Sequence, residues 1–245
     1  MSAPKSGKIA VAAHTDKAFE ADLKEVRATL LAMGSKVEEQ IERSMRALTT
    51  RDSELAEKVR RDDRELNLLE VEIDELCQRI LALRGPTAGD LRLITTALKI
   101  VTDLERIGDE AAHVARRALE LNEAPPLNLG EDLPRLGMLA QTQVEAALDA
   151  FMTGDPKAAE GVLRADDQLD DLYGKIFNDL LSLMMEDSRT IRRATALMSV
   201  SKYLERMGDH AVNVAEMVIY MVQGTDVRHP RSRVLSVPSR KVGAS

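Results

Sequence analysis

The chain has 245 residues, of which 44% are hydrophobic and 31% charged, so it can bury a core large enough for one or two domains. Aromatic residues are only 2% with no Trp, which excludes an ordinary β-sandwich or barrel and points to helix. The net charge of −7 argues against nucleic-acid binding, and the single cysteine, Cys77, excludes an internal disulfide or a thiolate-rich metal site.

No apolar run is long enough for a transmembrane helix, and Ile9–Ala13 is too short for a secretory leader, so the cytoplasm is the expected compartment. Residues 1–18 are expected to be a disordered N-terminus. From Phe19 to Leu48 apolar residues recur at steps of three and four, which predicts a long amphipathic helix. Asp52 is placed to cap a second helix running to the Gly85-Pro86 stop. A third helix is predicted over Ala88–Leu121. Residues 123–133 then read as a linker, with Pro125-Pro126 and Gly130 inside it. Three more helices follow, over about Pro134–Thr153, Pro156–Met185 and Ser188–Val222, the middle one opened by Asp155-Pro156 and the last closed by Gly224. Residues 225–245 carry five Lys or Arg against one acid and read as a disordered basic tail.

The two sets of helices repeat in sequence. LERIGD at 104–109 recurs as LERMGD at 204–209, and Arg92, Thr95 and Val114-Ala115 recur 100 residues later. Asp63-Arg-Glu-Leu-Asn67 matches Asp166-Asp-Gln-Leu-Asp170 at an offset of 103. The fold class is therefore all-α, a tandem duplication of an antiparallel three-helix bundle over 19–122 and 134–224.

Acids interrupt the apolar stripes in register with this repeat. Glu105 and Asp109 stack one turn apart on the third helix, and Glu205 and Asp209 do so on the sixth. Asp63 and Asp166 occupy spots on the preceding helices where the spacing calls for apolar residues, with Asn67 and Asp170 at i+4. Repelling carboxylates repeated in both halves suit a cation held by oxygen ligands, and a solvated face neutralised by Arg106 and Arg206 is the alternative. The acidic face continues to His113 and Arg116 in the first half and to Asn213 and Glu216 in the second, so fewer negative ligands and weaker metal binding are expected in the first. Gly108 and Gly208, mid-helix, favour close helix packing. Cys77 reads as a buried, inert thiol. No phosphate loop or catalytic triad is present, so no catalytic residue is assigned.

The paired Leu-Glu-Arg-[Ile/Met]-Gly-Asp motifs, with Asp90-Leu-Arg92 before the first and Asp209-His-Ala-Val-Asn-Val-Ala-Glu216 in the second, resemble the PhoU family over roughly 19–230. That resemblance implies a non-enzymatic cytoplasmic regulator of phosphate uptake and of the phosphate-starvation response, acting negatively when phosphate is plentiful. It implies an adaptor between the ATPase subunit of the phosphate ABC transporter and a sensor histidine kinase, reaching the membrane only through these partners, and self-associating as a homodimer. It also implies metal ions, iron, zinc, manganese or magnesium, at Glu105, Asp109, Glu205 and Asp209, with Asp63, Asp166 and Asp170 as companions and His113, Asn213 and Glu216 as further candidates. A carboxylate-bridged iron enzyme or storage bundle is the competing reading.

Overall fold

The computed structural model describes residues 17–127 and 130–227. Six helices make up almost all of it: α1 (Lys17–Thr49), α2 (Ser53–Arg84), α3 (Ala88–Asn122), α4 (Asp132–Thr153), α5 (Pro156–Glu186) and α6 (Ile191–Gln223). No strand occurs among the described residues. The expected tail lies outside the described residues from position 228 onward, and the expected N-terminal segment up to position 16.

The boundaries follow local chemistry. Asp52 caps α2 by accepting a hydrogen bond from the Leu55 N–H, and Asp155 caps α5 by accepting from Lys157 ahead of a first-turn Pro156. Three ends differ from the sequence reading. Lys17 and Ala18 belong to α1, and α4 begins at Asp132, two residues earlier than expected, because Pro134 is tolerated within a first turn whose N–H groups lack helical partners anyway. The last helix is entered through a 3₁₀ turn, Ser188–Thr190, in which Asp187 accepts from the Arg189 N–H and Thr190 Oγ1 donates to the Leu183 and Asp187 carbonyls.

In each half the three helices pack against one another, and the halves meet through α1 with α4 and α3 with α6. Buried Leu, Ile, Val and Ala from all six helices form the core, among them Leu30, Ile41, Leu66, Ile73, Leu104 and Leu169. The α1–α4 contact is one contact made twice. Gly34 of α1 receives Leu148 of α4, and Gly137 of α4 receives Met45 of α1, the two glycines and the two knobs each being 103 residues apart. A β-carbon at Gly34 would lie 2.8 Å from Leu148, and one at Gly137 2.7 Å from Met45. Both α1/α4 and α3/α6 run antiparallel, because contacts that climb one helix descend the other. The halves are thus related by an approximate two-fold that leaves α2 and α5 on the outside.

The α1–α2 turn shows what the duplication has not kept. Arg51 has a left-handed backbone (φ 58°), and the matching residue in the second half is Gly154 (φ 62°). A non-glycine residue there costs about 1 kcal/mol. In exchange, the Arg51 guanidinium donates to the Asn122 and Ala124 carbonyls (2.9 and 2.7 Å) at the C-terminus of α3, where a cation is favoured by the helix dipole.

Candidate functional site

Two acidic seams lie on the outer flanks, α2 against α3 and α5 against α6. On α2, Asp63 sits half-buried beside the fully buried Leu66, because the seven-residue recurrence that delivers Leu66 and Ile73 to the core brings Asp63 and Glu70 to its edge. Glu105 and Asp109 face them from α3. Burial raises the Asp63 carboxyl above its ordinary pKa, Asp109 raises it further, and His113 pulls it back. Burial and then the Asp109 charge raise Glu105, with Glu70 and Asp63 adding and Arg106 opposing. Glu70 is raised by burial and by Asp74. The Arg106 guanidinium lies 3.4 Å from Glu105 and 3.6 Å from Asp109.

In the second half the seam is formed by Asp166 and Asp170 of α5 with Glu205 and Asp209 of α6. Burial raises Asp166, Asp170 and Asp209; Glu205 adds to each. Asp166 also accepts a hydrogen bond from Gln143 Nε2 of α4 (3.2 Å), which offsets part of its rise. Here the counter-charge is not the expected arginine. Lys202 pairs with Glu205 and stands 5.6 Å from the centre of the Tyr173 ring, whereas Arg206 crosses to α3 and pairs with Glu110 at 2.6 Å.

Against the expected shortage of acids in the first seam, the fold brings two further carboxylates beside it. Glu70 and Asp74 bring negative charge that Asn67 withholds, and Arg116 is directed to Glu120, one turn on. The sequence reading missed both acids; the signal available was Glu70 at Leu66 + 4, on the edge already marked by Asp63. Two candidates are drawn instead toward the seam between the halves. Asn213 donates to Asp103 of α3 (3.2 Å) beside His210, which meets the same carboxylate at 2.9 Å. His113 lies 3.4 Å from Glu110 and stacks at 5.2 Å against Tyr203, within electrostatic reach of Asp63. Glu216 is half-buried, two turns beyond Asp209 on α6. Cys77 is fully buried, and burial with the Asp74 charge pushes its thiol up to about 11, so it is inert at neutral pH.

Gly108 and Gly208 are explained by contact. A β-carbon on Gly108 would overlap Leu66 Cδ1, and one on Gly208 would lie 2.7 Å from Gln143 Oε1 and 3.1 Å from Leu169 Cδ1. The glycines draw α3 onto α2 and α6 onto α5, which is what sets each pair of acids beside its companions. Gln40 and Gln143, buried against these glycines, each keep an Oε1 without a hydrogen-bond partner. The donor chemistry in both seams is oxygen throughout and suits a hard di- or trivalent cation. Among the described residues, however, no three His, Cys, Asp or Glu side chains converge on one point, so an ion would have to draw the carboxylates together.

A family model described as the PhoU domain matches the chain twice, over residues 30–118 and 133–218. The chain belongs to the PhoU family. It is 47% identical over 217 residues to the phosphate-specific transport system accessory protein PhoU homolog of Pseudomonas aeruginosa, covering 88% of this chain and 90% of that one. The Escherichia coli protein of the corresponding name is 38% identical over 216 residues, with 88% and 90% covered. The crystal structure of PhoU from Pseudomonas aeruginosa superposes with a TM-score of 0.82 over 84% of this chain and all of that chain, at 47% identity. The phosphate transport system regulatory protein PhoU from Streptococcus pneumoniae gives 0.80 at 29% identity, over 85% and 99%. Each of the two family matches contains one acid pair and its companion helix, so the duplicated seams belong to the PhoU architecture of this chain.

Proposed function

We propose that this PhoU-family chain is an accessory protein of a phosphate transport system that regulates phosphate uptake, working as a cytoplasmic adaptor between the transporter's ATPase subunit and a sensor histidine kinase, and lowering uptake and starvation signalling when phosphate is plentiful. The observation that carries the reading is similarity to transport-system accessory proteins over nearly nine-tenths of the chain, spanning both halves. Long rigid helices offer two outer flanks for partners, and an adaptor needs only to bind two states of a partner with different affinity.

Metal enters this reading as a structural clamp. Glu105 and Asp109 with Asp63 and Glu70 would hold an ion in the first seam, and Glu205 and Asp209 with Asp166 and Asp170 in the second, taking over the neutralising roles of Arg106 and Lys202. Bound there, a cation supplies charge neutralisation and cross-links two helices. Iron, zinc, manganese and magnesium all fit the donor type.

The test is affinity capture of the tagged chain from detergent-solubilised host membranes, in abundant and in limiting phosphate. Recovery of the transporter ATPase or the kinase, changing with phosphate, is expected. Failure to recover either partner in both conditions, with a folded bait, sinks the adaptor reading.

A further inference from the structure

A third helix reaches the second acidic seam from inside the bundle. Among the buried residues of α4, Gln143 alone carries a polar side chain, and it is 4% exposed. Its Nε2 donates to Asp166 Oδ1 (3.2 Å), while Oε1, turned toward Gly208 of α6, has no hydrogen-bond partner. This orientation follows from the chemistry of the pair. An ionised carboxylate only accepts, so the amide must present its nitrogen to Asp166 and its oxygen to α6. The oxygen then meets a helix interior whose backbone N–H groups are already paired with one another's carbonyls.

The duplication supplies an internal control. Gln40 of α1 stands 103 residues before Gln143, is 5% exposed, and has its own Oε1 unpartnered beside Gly108. The other buried polar residue of α1, Ser44, is matched in α4 by Ala147, so buried polarity is not repeated for its own sake. An unpaired amide oxygen in a core is a cost, and a methionine would fill nearly the same space without it. Packing therefore does not account for the amide of Gln143. What the amide adds is its hold on Asp166.

We propose that Gln143 is a positioning residue for a cation in the α5/α6 seam, holding Asp166 in the orientation in which it meets the ion. The inference rests on the metal-clamp reading above. Among the described residues no three His, Cys, Asp or Glu side chains converge on one point, so an arriving ion must order its own ligands. A carboxylate fixed beforehand lowers the cost of that ordering. The same hydrogen bond favours the charged form of Asp166, against burial and the Asp167 and Glu205 charges, which favour the protonated one. Contacts of this kind orient the ligands of metal sites, and losing one weakens binding about ten- to a hundredfold. Gln141 is the contrasting case on the same helix, because its Nε2 donates to Glu145 of α4 itself (2.9 Å).

The test uses the full chain carrying Glu105→Ala/Asp109→Ala, so that the second seam is read alone, stripped with chelator and titrated with Mn²⁺ by calorimetry. Adding Gln143→Met to this parent is expected to weaken Mn²⁺ binding about tenfold, with the metal-free Tm unchanged or higher because the unpaired oxygen is gone. Gln143→Leu, of similar volume, is carried in parallel and is expected to show the same loss. Gln141→Met is expected to bind as the parent. With Asp166→Ala already present, Gln143→Met is expected to cost nothing further, because the glutamine acts through that carboxylate. Equal Mn²⁺ affinity with and without the Gln143 substitutions overturns the proposal and leaves the metal reading standing. A loss that persists undiminished without Asp166 also overturns it, placing the effect in the packing of α4 against α6. A parent that binds no Mn²⁺ removes the metal reading of this seam and the proposal together.

Discussion

Leu66 of α2 fills the space that a side chain on Gly108 of α3 would occupy. The glycine is therefore a docking notch, at a position where alanine would otherwise favour the helix by about 1 kcal/mol. Gly108→Ala and Gly208→Ala are each expected to lower stability by about 1–2 kcal/mol, the overpacking cost outweighing the gain in propensity. Gly161, inside α5, gives the opposite expectation, because a β-carbon there would have nothing within 4 Å. Gly161→Ala should raise stability by about 0.5–1 kcal/mol. Urea midpoints decide; a stabilising Gly108→Ala would mean that α2 and α3 do not need this approach.

Asp63, Glu70, Glu105, Asp166, Asp170 and Asp209 all have carboxyls raised above ordinary values of 3.8 for Asp and 4.5 for Glu. A raised folded-state pKa means that the folded chain holds these protons more tightly than the unfolded one. The stability they contribute is present in full below the ordinary values and is lost as pH rises through the raised ones. The metal-free chain should therefore gain stability from these acids as pH falls through their raised values toward the ordinary ones, the reverse of a protein whose carboxylates are paired. An excess of a bound divalent cation should flatten that slope. Melting in chelator and in added metal across this window checks it, and a Tm that falls steadily on acidification in chelator would remove the repelling acids as a stability factor.

The corrected charge count changes what metal removal should look like. Carboxylates from two helices face each other in both seams, so Glu105→Ala/Asp109→Ala and Glu205→Ala/Asp209→Ala should each remove a comparable share of bound metal. Elemental analysis of the two variants against the wild type is the measurement. Loss confined to the second pair would restore the weaker first seam that Asn67, His113 and Arg116 suggested from the sequence.

The helices were legible because the apolar steps of three and four in Phe19–Leu48 are set by the chain's own geometry. The acid pairs were legible because the duplication repeats them. Glu70 and Asp74 escaped for the converse reason: their counterparts are Tyr173 and Phe177, so a search for what the halves share passes over them. Arg206 escaped because its partner depends on a tertiary contact. Arg106 and Arg206 occupy the same motif position, yet Arg106 folds back on Glu105 and Asp109 while Arg206 reaches Glu110 across the antiparallel α3/α6 seam. Only the placement of one bundle against the other decides between those outcomes.

That contact yields the last prediction. Glu110 is 2% exposed, with one carboxylate oxygen 2.6 Å from Arg206 and the other 3.4 Å from His113. Arg206 is 45% exposed, so water screens the pair and rehydrates the arginine when its partner is removed. Glu110→Ala should cost about 1–3 kcal/mol, most of it from leaving a hole and unmet donors at the junction of the two halves. Arg206→Ala should cost less than about 1 kcal/mol, because its guanidinium already faces solvent in part. A double-mutant cycle is expected to give a coupling of about 0.5–1 kcal/mol. A coupling of zero would show that this ion pair does not help to hold the two halves together, with Arg206 free to serve the second acidic seam in solution.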